Sequence, residues 1–366
     1  MKTLLRHAVA ATTAALFTLP GQAARAQSAV FAVDRFEPAE SGSDWFANES
    51  LDLRGAARPA AGVVFDWAYK PLSLYPRDDV QGLARATVIT DQVFLHTGGS
   101  IILADRLRLG LSLPVAIYQQ GEDTRGIAIA VSAPDKAALG DGRLSADFLL
   151  FGAYGDPLRG AVGARVFVPT GSRALMTGDG TVRVAPHFLL AGDYAGFVYA
   201  AKLGFAYRPF DGTFEGRPLG SEVIFSAAGG VKVNDRFVFG PELHGSPQVT
   251  KDDPLRTRNT PLELLIGAHL SLGDDAQVGT AIGPGLTRGD GSPSMRVLIA
   301  FDWAPDPCVD KDGDGICAND DACPEVDGVR TRDPKTNGCP PPGDPHEGVS
   351  PSQPIPAPAP PSAEPK

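Results

Sequence analysis

The sequence predicts an all-β fold: an antiparallel outer-membrane-type β-barrel of about 12 strands, followed by a small acidic module and a proline-rich tail. Three observations predict it. From about Leu53 to Trp303, apolar residues recur at alternate positions over stretches of ten or so residues, separated by clusters of Gly, Asp, Pro and Asn. No apolar run in that region reaches the length of a transmembrane helix. The faces opposite the apolar ones carry Gly, Ala and isolated charges, not the Thr, Lys and Glu of a solvated sheet.

At the N-terminus, Lys2 and Arg6 precede an apolar run from Ala8 to Leu19, and Ala24-Arg25-Ala26 supplies an A-x-A cleavage site. Residues 1–26 therefore read as a secretory signal, with the mature chain beginning near Gln27. No cysteine follows the run, so it is not a lipoprotein signal. Residues 27–52 form a lead-in, and residues 53–304 the barrel domain.

Strands are expected to begin near Arg58, Thr87, Leu107, Arg143, Arg159 and Thr181, and again near Ala195, Gly220, Arg236, Thr260, Ala276 and Ser294. The alternation is clearest at Leu107, Leu109, Leu111, Leu113, Val115 and Ile117; it is poor near Thr87 and Ala276. A secreted β-sandwich, with the apolar faces as its core, is the competing architecture. Aromatics toward the ends of the apolar faces favour the barrel, because girdles at a membrane interface sit there: Trp67 and Tyr69, Phe205 and Tyr207, Phe301 and Trp303. The polar faces carry Arg108, Arg165, Arg183, Lys202 and Arg296 together with Asp66, Glu242, Glu263 and Asp302. Inside a barrel these would form a lumenal ion-pair network that plugs it or lines a narrow pore, ordinary interior pairing without transport being the plainer reading.

The stretch from Asp306 to Asp327 holds eight acids against one base, Lys311, and all four cysteines fall at or near it. Asp310, Asp312 and Asp314 stand at positions 1, 3 and 5 of a loop, Gly315 at position 6 and Asp321 at position 12. Alternate carboxylates on a tight turn suit a hard cation that takes six to eight oxygens, and the carbonyl of Ile316 would add a ligand at position 7. Calcium is the expected ion. A solvated acidic linker that merely has this spacing is the bland alternative. An exported chain permits disulfides. Cys308, Cys317, Cys323 and Cys339 allow three pairings, among which sequence does not choose; the neighbours in sequence, Cys308 with Cys317 and Cys323 with Cys339, are preferred. A zinc site is disfavoured by the oxygen-rich surroundings.

Asp310, Asp312, Asp314, Gly315, Asp321, Cys323 and Pro324 resemble the thrombospondin type 3 repeat, D-x-D-x-D-G-x-x-D-x-x-D-x-C-P. Ala318 departs from it where that repeat has Asp, and the resemblance implies calcium binding over residues 305–340. The phrases FAVDRFEPAESGSDWFANESLDL, RPAAGVVFDWAYKPL and LADRLRLGLSLPVAIYQQG resemble the barrel region of OmpA-family proteins from delta-proteobacteria. In that group a barrel is followed by thrombospondin type 3 repeats and a peptidoglycan-binding domain. Residues 341–366 are instead a proline-rich tail, suited to an extended spacer, so peptidoglycan binding is not expected. A periplasmic partner could meet the tail.

No H-E-x-x-H, G-x-S-x-G or Walker A pattern occurs, so no enzyme is expected, and a net charge of −10 leaves no basic surface for nucleic acid. The resulting expectation is a structural barrel in the outer membrane of a Gram-negative cell, contacting lipid, with a periplasmic calcium-binding hinge and at most a narrow pore. The alternative is a soluble β-sandwich adhesin using the calcium repeat.

Overall fold

Each alternating stretch forms a strand with its apolar residues on one side. The computed structural model describes residues 30–75, 86–124, 132–210, 212–214, 217–234, 236–250, 255–307, 311–314, 316–318, 320–331 and 333–341. The signal segment and most of the proline-rich tail lie outside these. The long strands are β1 (Ala57–Leu74), β2 (Ala86–Leu103), β3 (Leu107–Gln120), β4 (Gly142–Phe151), β5 (Arg159–Val168), β6 (Arg183–Tyr194), β7 (Phe197–Ala206), β8 (Glu222–Val233), β9 (Phe237–Gly245), β10 (Leu262–Leu272), β11 (Ala276–Gly283) and β12 (Met295–Trp303). Every start lies within two residues of the expected one, including the two poorly alternating strands.

Each strand pairs antiparallel with the next, and β12 pairs back onto β1 from Ala61↔Trp303 to Tyr69↔Met295. The sheet therefore closes on itself, which removes its edges. A sandwich needs two sheets with edges, so the competing architecture is excluded.

Closure turns alternation into an inside and an outside. On β3, Leu109, Leu111 and Ile117 are exposed while Arg108, Ser112 and Ala116 are buried; on β12, Ile299, Phe301 and Trp303 are exposed while Arg296, Leu298, Ala300 and Asp302 are buried. Leu203 is 61% exposed and Leu111 57%. An apolar belt of this extent in water would be an aggregation surface, whereas hydrocarbon solvates it without cost.

The two ends of the barrel differ. Ala195 and Gly196 join β6 to β7 with φ of 53° and 79°, the positive values that a two-residue hairpin turn requires. The links β2–β3, β4–β5, β8–β9 and β10–β11 are also short and lie at this end. The links at the opposite end are longer, and one carries the hairpin Thr213–Phe214 with Arg217–Pro218.

Residues 30–56 form no strand and occupy the bore. At the long-loop end Phe31 and Val33 are buried among Leu72, Leu74, Val88, Ile89, Met176 and Phe210. At the short-turn end Trp45, Leu51 and Leu53 pack on Ile102, Ala161, Leu189 and Val198. The lead-in is thus a plug that runs the length of the barrel. Full burial of each large apolar side chain stabilises by about 1.5–3 kcal/mol, so these seats hold it at both mouths.

The remainder, from Pro305, is a separate compact unit. Its described part is built of turns, closed by a bridge between Val329 and Cys339 and by a Cys323–Cys339 disulfide.

Candidate functional site

The bore is the candidate site, and its wall is read directly from the inward positions of the strands. All nine charged residues assigned to the polar faces point into it. Arg165 and Arg296 are the largest fully buried side chains among the described residues. Sequence reading missed the partners of Arg165, Glu37 and Glu49, because the lead-in had been given no place in the barrel. The signal available was charge: residues 30–56 hold six acids against two bases, directly before a set of strands whose polar faces are rich in arginine.

Plug oxygens meet wall cations on β3–β7. Glu37 lies 2.9 Å from Arg165, Glu40 2.9 Å from Arg143, and Glu49 2.9 Å from Arg108 and 3.1 Å from Arg165. Plug carbonyls serve the others: Ser50 O accepts from Arg159 at 2.6 Å, Pro38 O from Arg143 at 2.7 Å and Ala47 O from Lys202 at 3.3 Å. Gly110 permits the approach of Glu40, since a Cβ there would collide with the Glu40 carboxylate and the Ser145 hydroxyl.

Across the bore the polarity reverses. Glu242 on β9 accepts the backbone N–H groups of Phe46 at 2.7 Å and Ala47 at 2.9 Å, and the Asn48 amide at 3.1 Å. Glu222 on β8 pairs with plug Arg35 at 2.9 Å. Arg296 on β12 bridges Asp66 and Glu263 within the wall and reaches plug Asp34 at 3.5 Å. The ring of Phe46 lies 4.4 Å from that of His269. The plug thus offers oxygens to one arc of the wall, and to the other both N–H donors and the carboxylates of Asp34 and Asp44.

Burial, and then the neighbouring Asp66, push the Asp34 carboxyl up to about 6 against the pull of His96 and Arg296. Burial works to raise Glu37 as well, but Arg165, Lys202 and Arg143 outweigh it and hold that carboxyl down at about 2. Glu40 is lowered too: burial opposes it, and Arg143 and Arg108 prevail. The plug does not fill the bore. A cavity of about 100 Å³ remains beside residues 32–38, lined among others by Arg143, Arg183, Lys202, Glu222 and His96. That is room for several waters.

The COG4313 outer membrane channel from Pseudomonas putida F1 superposes on this chain with a TM-score of 0.50, covering 69% of this chain and 96% of the channel at 14% identity. The fold is that of an outer-membrane β-barrel. At this identity the likeness is one of fold alone. A NanC porin (TM-score 0.42, 7% identity, 68% of this chain and 98% of the porin) and a TodX monoaromatic hydrocarbon channel mutant (0.40, 12%, 76% and 99%) are similar at scores that carry nothing further. No family model and no curated protein matches the chain, so the OmpA-type and thrombospondin-type resemblances rest on their sequence phrases.

In the C-terminal unit, Asp312, Asp314 and Asp321 bring carboxylate oxygens within 4.8 Å of one another. Backbone turns aim them: Ile316 N–H donates to Asp314 at 2.8 Å, Gly328 N–H to the other Asp314 oxygen at 3.1 Å, and Cys323 N–H to Asp321 at 2.7 Å. Gly338, at φ 77°, leaves the space that the Asp321 carboxylate fills. Ile316 is buried beside this cluster in sequence, whereas Asp310 and Gly315 lie outside the described residues. Cys323 and Cys339 are bonded as preferred. Cys317 is also disulfide-bonded, and its preferred partner, Cys308, lies outside the described residues. A second group, Asp34, Asp66 and His96, also clusters within 4.8 Å inside the bore, where Arg296 already supplies a cation.

Proposed function

We propose that this chain is an outer-membrane channel whose bore is closed by its own N-terminal segment. One observation carries the reading: the obstruction is a separate stretch of chain, residues 30–56, laid against a charged wall that water can solvate once the stretch moves. A barrel built only to anchor can fill itself with apolar side chains from its own strands, since a buried ion pair gives no more stability than well-packed hydrophobic residues. The exposed apolar belt supports contact with lipid and residence in the outer membrane of a Gram-negative cell. Short turns face the periplasm in such barrels. β12 ends at that side, which supports a periplasmic C-terminal unit.

That unit fits a hard cation, because Asp312, Asp314 and Asp321 offer oxygen alone. Calcium, when bound, would neutralise clustered carboxylates and tie the turns together; Asp310 and the Ile316 carbonyl are the further ligands expected from the spacing.

The test is conductance in planar bilayers. The unaltered chain should be mostly closed, and a variant lacking residues 30–53 should conduct, each first shown to be a closed barrel by a mobility shift between unboiled and boiled samples. A closed, plug-free barrel that passes no current would overturn the channel reading and leave a structural anchor.

A further inference from the structure

We infer that the solutes this bore admits are small organic carboxylates, which follow a ladder of cations most of whose rungs the plug now occupies, Arg183 alone being held by Asp141 and Asp179; the inference rests on the channel reading above. The inward positions of β3–β7 carry six bases (Arg108, Arg143, Arg159, Arg165, Arg183 and Lys202) against two acids, Asp147 and Asp193. Their places along the strands spread them from one mouth to the other. Arg143 and Arg183 start β4 and β6 at the long-loop end, Arg165 and Lys202 lie midway, and Arg108 and Arg159 start β3 and β5 at the short-turn end.

Removing the plug does not affect the two arcs equally. Arg143, Arg159, Arg165 and Lys202 would lose the plug oxygens of Glu40, Ser50, Glu37, Glu49 and Ala47. Of the acids opposite, Asp66 and Glu263 would keep Arg296 and Glu222 would keep Arg208 at 3.2 Å, whereas Glu242 would lose the plug donors of Phe46, Ala47 and Asn48. The uncovered bore is therefore cationic along one arc and largely self-neutralised along the other. A ring or row of such charges selects for the opposite sign. Guanidinium groups match carboxylates in particular, because their fork geometry donates to two oxygens at once. Glu37, Glu40 and Glu49 occupy the positions that a solute's carboxylates would take.

The experiment reads reversal potential in a potassium chloride gradient, using the variant lacking residues 30–53 and, in the full chain, the triple variant Glu37→Gln, Glu40→Gln, Glu49→Gln. The expected sign is that of chloride preference, with succinate carrying current or reducing the chloride current from either side. Arg143→Glu with Arg165→Glu in the plug-free background should reverse the sign. Open channels that prefer potassium, or that are indifferent to succinate and to the reversal pair, overturn the inference while leaving the channel intact. An absence of current from closed barrels of every variant overturns the channel reading instead. Should neither variant close into a barrel, brief openings of the unaltered chain at raised voltage report the same reversal potential and decide it with the same signs.

Discussion

In the plug, Glu37, Glu40 and Glu49 each lie within 3.1 Å of an arginine nitrogen on the barrel wall, whereas in the C-terminal unit Asp312, Asp314 and Asp321 gather their oxygens within 4.8 Å of one another and receive backbone N–H groups. Both segments are rich in acids, yet the first is neutralised by cations supplied from distant parts of the same chain. The second concentrates charge, as a segment does when the cation arrives from solution. The difference is one of context. A carboxylate inside a barrel has strands on all sides that can carry its partner, while a short module of turns has only its own few residues.

If that contrast holds, a plug carboxylate is sensitive to loss of a wall arginine and indifferent to divalent ions, and a loop carboxylate behaves in the opposite way. The largest effect is expected from Arg165→Ala, which removes the ion-pair partner of Glu37 inside the bore and leaves Glu49 with Arg108 alone. Removing one partner of a buried pair costs about 3–5 kcal/mol. The temperature at which the unboiled form converts to the boiled mobility should fall clearly, equally with calcium or with chelator, and Arg165→Lys should recover part of the loss. An unchanged conversion temperature would show that the plug is held by its apolar seats alone.

Calcium should act only on the other region. At a concentration a hundredfold above its dissociation constant, a ligand that binds only the folded form stabilises by about 2.7 kcal/mol. Proteolysis between Asp306 and Cys339 should accordingly slow about 100-fold with calcium, where cutting requires opening of the loop. Asp312→Ala combined with Asp314→Ala should abolish that protection and leave the conversion temperature of the barrel alone. Equal cleavage of the unaltered protein with and without calcium would dispose of the calcium reading.

The barrel was legible because a closed sheet imposes a period of two on every strand, so Leu107 to Ile117 or Met295 to Trp303 state their faces without help from the rest of the chain. Even the weak strands at Ala86 and Ala276 are placed correctly, since their neighbours fix the spacing. The inward charges were legible for the same reason. The plug was not. Residues such as Trp45, Phe46 and Glu49 follow no period, because an irregular segment takes its conformation from the wall, and its partners stand more than 50 residues away at Arg108, Arg165 and Glu242. A local pattern cannot report such pairings; only the mismatch of charge between two stretches hints at them. The acidic loop is the reverse case. Its ligand candidates are neighbours in sequence, so their convergence follows from spacing and turns.

The smallest effect separates two carboxylates of the plug itself. Glu37 is held at about 2 against an ordinary 4.5, so it favours the docked plug above pH 4.5 and that contribution is lost as the pH falls toward 2. Asp34 is raised from 3.8 to about 6, which means the docked state prefers its neutral form. Docking therefore weakens as the pH rises from about 4 to 6, because burial, and then repulsion from Asp66, disfavour the charged form more than His96 and Arg296 favour it. Asp34→Asn should remove the decline over that interval without touching the acid limb set by Glu37. Conversion temperatures measured from pH 3 to 8 would then show a flat plateau in the variant where the unaltered protein slopes downward. Parallel curves would mean that Asp34 keeps its proton balance on docking, and that Arg296 satisfies both Asp66 and Asp34 in full. The plug would then be fastened on that side by charge as firmly as it is on the arginine arc.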